Sequence, residues 1–151
     1  MRKFLVILDS TTECLNAMRF AALRAANTGG GVTILAVIPP DEFNHWIGVA
    51  DIMREEARDR IEAHFQIFSK RMQEKEGITP ELEIREGKVE AEIIDYIQDT
   101  PDIGVLVLAA GTGKDGPGPL VNYVLRSAGT LPIPVTVVPG GMSKEAIIAV
   151  S

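Results

Sequence analysis

The chain holds one cysteine, one tryptophan and two histidines among its 151 residues, and each scarcity removes a class of chemistry. The lone thiol, Cys14, excludes an internal disulfide and a cysteine-based zinc site. A reactive thiol needs a basic or helix-terminal setting, so Cys14 reads as a buried structural residue. Of the histidines, His64 has Arg60 and Phe68 at the i±4 positions where a second metal ligand would stand. It is expected as a half-buried residue at a helix border. Basic residues are also in deficit, 15 Lys and Arg against 21 Asp and Glu, for a net charge of −6. That balance disfavours nucleic acid as a partner, because phosphate backbones require a basic face. No apolar run is longer than a strand, so no segment can span a bilayer. The start "MRKFLVILDS" is interrupted by Asp9 before any signal-type region, and a cytoplasmic protein is expected.

Apolar strand-length runs alternate with amphipathic stretches along the whole chain. Strands are expected at 3–8, 32–38, 81–86, 104–110 and 134–139. Between them, helices are expected from Cys14 to Ala26, Val49 to Lys75, 89–99 and Pro119 to Ala128. "DSTTE" offers Asp9, Ser10 and Thr11 as caps for the first helix, and "NTGGG" stops it. Glu55, Glu56 and Glu62 with Arg58 and Arg60 form a solvated face on the second helix. Fully apolar strands separated by helices indicate one α/β domain, 1–151, with a five-stranded parallel sheet covered on both faces. The stretch 146–150 is apolar, and docking and fraying are both open for it. In the connection 41–48, Phe43 and Trp46 are expected to fold back on the sheet edge, with His45 beside them.

Open parallel sheets bind ligands beyond the carboxyl ends of their strands. Here those ends carry Asp9 and Ser10, Ile38 and Pro39, and the segment "GTGKDGPGP" with Gly111, Thr112, Gly113, Lys114, Gly116 and Gly118. A carboxylate at Asp9 suits ribose hydroxyls, and backbone N–H groups at the helix starting near Pro119 suit an anion. Asp9 as no more than a helix cap is the competing reading. The segment is not a P-loop, since no glycine stands five positions before Gly113 and Asp115 follows Lys114 where Ser or Thr should be.

Three pieces, the Asp after the first strand, "REG" at 85–87 and "PIPVTVVP" at 132–139, carry a likeness that covers almost the whole chain. In them the sequence resembles the universal stress protein family. The resemblance implies strand order 3-2-1-4-5 and a homodimer, often formed through the last strand (here Val135, Thr136, Val137 and Val138). Some members bind ATP, AMP or related adenine nucleotides and others do not; they act in stress adaptation without a well-defined enzymatic reaction.

Nucleotide-binding members carry glycine, two residues, glycine, nine residues, then glycine with Ser or Thr. Laid from Gly113, that pattern reaches Ser127 but meets Arg126 in place of the third glycine. Laid from Gly111, it shortens the loop and brings Gly118-Pro119 to the final pair, with proline in place of the hydroxyl. The second alignment keeps a full helix before the last strand and implies an altered phosphate site. The expected function is therefore a non-enzymatic, homodimeric stress-response protein with a modified nucleotide pocket. An intact ATP/AMP sensor is the alternative. An ATP-hydrolysing enzyme is disfavoured by the lack of an intact phosphate loop and of metal-binding acids.

Overall fold

The computed structural model describes residues 1–40 and 47–151. The expectation for Phe43, His45 and Trp46 lies outside the described residues. Five strands form one parallel sheet: β1 (Lys3–Ile7), β2 (Gly31–Ile38), β3 (Glu81–Glu86), β4 (Ile103–Ala110) and β5 (Val135–Pro139). Their order is 3-2-1-4-5, so β1 sits at the centre, with Val6 beside Ile34 on one side and Val107 on the other. The helices between them are α1 (Cys14–Thr28), α2 (Ile47–Glu76), α3 (Val89–Asp99) and α4 (Pro119–Arg126), with α5 (Lys144–Val150) after β5.

Successive strand residues point to opposite faces, and the apolar runs therefore feed two cores. One face carries Val6, Ile34, Val107 and Val138 against α1, whose Ala17, Ala21 and Ala25 let the helix lie close to the sheet. The other carries Leu5, Leu35 and Leu106 against Ile93 and Ile97 of α3 and Val121 and Val124 of α4. Leu5 and Leu106 are fully buried, and truncating either to Ala would cost about 2–5 kcal/mol. Helix α1 ends where Gly29 adopts a left-handed φ of 70° and its N–H donates to Ala25 O. No helix among the described residues is long and apolar enough to cross a membrane.

Three expectations change. Asp9, Ser10 and Thr11 do not cap α1, which begins at Cys14 after an uncapped Glu13. The final helical stretch after β4 stops at Arg126, and a short 3-10 turn, Ala128–Thr130, follows. His64 is exposed instead of half-buried, with its ring 5.2 Å from that of Phe68.

The stretch 146–150 docks. Ser143 Oγ accepts from the Ala146 N–H at 3.1 Å and caps α5. Ile147 is fully buried in the α1 core. Arg24 and Asn27 of α1 donate to the backbone carbonyl of Ser151 at 3.0 and 3.1 Å. The turn leading to α5 is held by Asn16, whose Nδ2 donates to the carbonyls of Pro139, Gly140 and Met142 at 3.2, 3.0 and 3.2 Å.

Candidate functional site

The parallel register aligns the carboxyl ends of β1, β2 and β4 at one edge, the place where connections to β2 and β4 leave in opposite directions. Two cavities open there, and Asp9 borders both. The larger, 280 Å³, lies between β1, β2 and α2 and is lined by Asp9, Ser10, Ile38, Pro39, Ile61 and His64 among others. The smaller, 160 Å³, lies toward β4 and includes Asp9, Thr11, Cys14, Pro117, Gly118 and Pro119 in its wall.

The Asp9 carboxylate is oriented by its own turn. Its Oδ1 accepts from both the backbone N–H of Thr11, at 2.9 Å, and the Thr11 hydroxyl. This local turn is what the residue does in place of capping α1. It occupies one carboxylate oxygen and leaves the other without a protein donor among the described residues.

The glycine-rich segment is folded on itself. The Gly111 N–H donates to Pro117 O at 3.0 Å, and the Gly116 N–H donates to Gly113 O at 3.2 Å. Gly118 precedes α4 with a φ of 110°, a conformation that disfavours side chains, and Pro119 takes the first helical position. Neither Pro117 nor Pro119 has an N–H to offer. The N–H groups of Leu120 and Val121, in the first turn of α4, precede the first residue with an i−4 carbonyl in the helix, Asn122, whose N–H donates to Gly118 O at 3.0 Å. Ser127 stands at the opposite end of α4, as its C-cap.

The structure thus brings Asp9, Ser10, Ile38 and Pro39 together in one cavity and sets Gly118 across Asp9 in the other. Thr112, Gly113, Lys114 and Gly116 are exposed on the outside of the loop and line neither cavity, while Gly111 is half-buried beneath it. Sequence reasoning missed Arg60 and His64, which face the larger cavity from α2. The signal was present: Ala57, Arg60, Ile61 and His64 fall on one helical face, at i, i+3, i+4 and i+7. It also missed Cys14 as a wall of the smaller cavity. Burial pushes its thiol up to about 11, and Sγ donates to Ile7 O at 3.5 Å.

The family model that matches this chain describes the universal stress protein family and spans residues 1–139. The chain belongs to the universal stress protein family. Solved structures share this fold. Universal stress protein UspA from Lactobacillus plantarum is 21% identical with a TM-score of 0.77, the match covering 91% of this chain and 97% of that one. A universal stress protein solved in complex with cAMP is 16% identical with a TM-score of 0.67, covering 91% and 96%. A family protein from Arabidopsis thaliana with AMP bound is 16% identical with a TM-score of 0.60, covering 92% of each chain. A search of curated proteins gives no match. Within the universal stress protein fold, the cavities at Asp9 occupy the sheet edge at which open parallel sheets take ligands. Residues 140–151, with α5, lie after the matched stretch.

Proposed function

We propose that this universal stress protein is a non-enzymatic adenine-nucleotide binder whose pocket takes a mononucleotide in preference to ATP. The observation that carries the reading is Asp9 standing between two cavities, one partly apolar and one at a helix start. The base would lie against Ile38 and Pro39, with Arg60 and His64 on the α2 side. The free Asp9 oxygen would accept from ribose hydroxyls, and one phosphate would meet the N–H groups at the start of α4. A triphosphate needs more donors than this loop presents, because two of its N–H groups are turned inward and two of its positions are proline. Relatives of the same fold solved with AMP and with cAMP support the class of ligand.

The absence of catalysis rests on the groups around Asp9. The Thr11 hydroxyl is engaged by Asp9, and the Cys14 thiol is far from its nucleophilic form near neutral pH. Among the described residues no base is hydrogen-bonded to Ser10, and the Thr11 hydroxyl serves the turn that Asp9 holds. We also propose a cytoplasmic homodimer paired along the edge strand β5, whose Val135, Thr136 and Val137 are half-buried and whose outer side has no strand partner.

Calorimetric titration of nucleotide-stripped protein with AMP and ATP, with and without magnesium, tests the pocket. Micromolar AMP binding with weaker ATP binding is expected. Equal or tighter ATP binding would favour the alternative, a sensor with an intact triphosphate pocket. No binding of either at millimolar concentration would remove the nucleotide reading. Sedimentation equilibrium tests the dimer, which a monomer at micromolar concentration would exclude.

A further inference from the structure

A third cavity, of 300 Å³, lies away from Asp9, between α1, the second half of α2 and α5. Its floor is apolar: Met18, Phe68 and Met72 are buried core residues, and Leu15 and Ile148 extend the wall. Its rim is cationic, with Arg19, Arg71, Lys75 and Lys144 contributed by three different helices. Among the described residues none of these four makes an ion pair within 4.0 Å. Lys75 and Lys144 instead face each other, and the Lys144 ammonium is held below its ordinary pKa chiefly by Lys75. One carboxylate, Glu76, joins the rim; its Oε2 is buried without a hydrogen-bond partner, and burial raises its pKa.

An apolar floor of this size under a few convergent polar groups has the composition of a small-molecule site. The charge excess identifies the ligand class. Four cations against one carboxylate leave a positive mouth over a greasy interior. We propose that this cavity binds a free medium-chain aliphatic carboxylate, its chain on Met18, Phe68 and Met72 and its head among Arg71, Lys75 and Lys144. The bound anion would separate the facing ammonium groups of Lys75 and Lys144 electrostatically, which no residue among the described ones does by an ion pair. The site is distinct from the proposed nucleotide pocket, shares no lining residue with it, and stands whether or not nucleotide binds.

The test is a titration of full-length protein carrying carbon-13 methyl-labelled methionine with sodium decanoate, followed by NMR. Met18 and Met72 line the cavity, while Met1, Met53 and Met142 do not and act as internal references. Saturable shifts confined to Met18 and Met72 are expected. The exposed double variant Arg71→Glu/Lys75→Glu should weaken decanoate about tenfold or more. Glu76→Gln should tighten it, because it removes the carboxylate that lines the cavity. Decanol, with the same chain and no charge, should bind at least about tenfold more weakly than decanoate. Several outcomes would overturn the proposal. These are no shift at millimolar decanoate, equal response to decanol, or indifference to the double charge reversal. Shifts on protein dilution alone would mark the face as a contact between copies. Sedimentation with anionic phospholipid vesicles in the absence of decanoate binding would mark it as a membrane surface. Circular dichroism of the variants separates loss of binding from loss of fold.

Discussion

The backbone N–H of Gly111 donates to the carbonyl of Pro117 at 3.0 Å, closing the loop after β4 before α4 begins. A donor that would otherwise face the ligand edge is spent inside the loop. The first helical position is proline, so the donor shortage continues into α4. Pro119→Ser restores one N–H and one hydroxyl at that position. It is expected to raise the affinity of both nucleotides by about tenfold, the contribution of a hydrogen bond to a charged group, because the proposed pose sets a phosphate at this helix start. Paired calorimetric titrations of the variant and the parent measure that difference. No gain for either nucleotide would place the phosphates elsewhere.

Asp9 holds its turn, and in the proposed pose it has a second, separable task, offering an oxygen to the ligand. Thr11→Val removes only the hydroxyl that the carboxylate accepts from, leaving the Thr11 backbone N–H bond in place. Asp9→Ala removes both tasks. We expect Asp9→Ala to lose AMP binding by about a hundredfold, as for a charged hydrogen-bonding group of roughly 2–3 kcal/mol, and Thr11→Val by less than tenfold. Similar losses in the two variants would mean that the turn, not the free oxygen, governs binding.

Asn16 couples α1 to the turn before α5 through three carbonyls. Asn16→Leu keeps the volume roughly but leaves those acceptors without their donor. The expected cost is about 1–3 kcal/mol, read as a lower urea midpoint with an unchanged slope. A changed slope would show that α5 melts separately from the sheet.

Cys14 sets a pH dependence. Its folded-state pKa, about 11, is above the ordinary thiol value of 9.0 because burial disfavours the thiolate. The unfolded chain therefore releases this proton first as pH rises. Stability tied to the neutral thiol is complete below pH 9 and is lost as pH rises toward 11. The difference in urea midpoint between the parent and Cys14→Ala should narrow over that window. A thiol reagent at pH 8 should label the unfolded chain and spare the native one.

Much of the fold was legible because four of its strands are continuous apolar runs and the fifth, "ELEIRE", alternates as a half-exposed edge strand does. "VTILAVI" and "GVLVLAA" admit no half-exposed reading, and the sheet buries both of their faces. The strand order came from resemblance, since apolar pattern alone cannot say which strands are neighbours. The site was legible where it depends on strand ends, at Asp9, Ser10, Ile38 and Pro39. It was not legible on α2. Arg60 has the chemistry of a solvated helix face, and only the placement of α2 against β2 turns it toward a cavity. Asp9 looked like a cap because Asp before a helix often is one, yet the three residues between it and Glu13 leave room for a turn that captures the side chain first. The docking of 146–150 could not be read from so short a segment, because its partner surface on α1 is formed by residues more than a hundred positions earlier.

The position of Asp9 between two cavities also divides the chain in time. One lobe is complete once residues 8–64 have folded, and the other needs Leu108 to Val121, which are made much later. A molecule bound as proposed across Asp9 would touch residues of the earlier half of the sheet and of the later half at once, bridging β1 and β4.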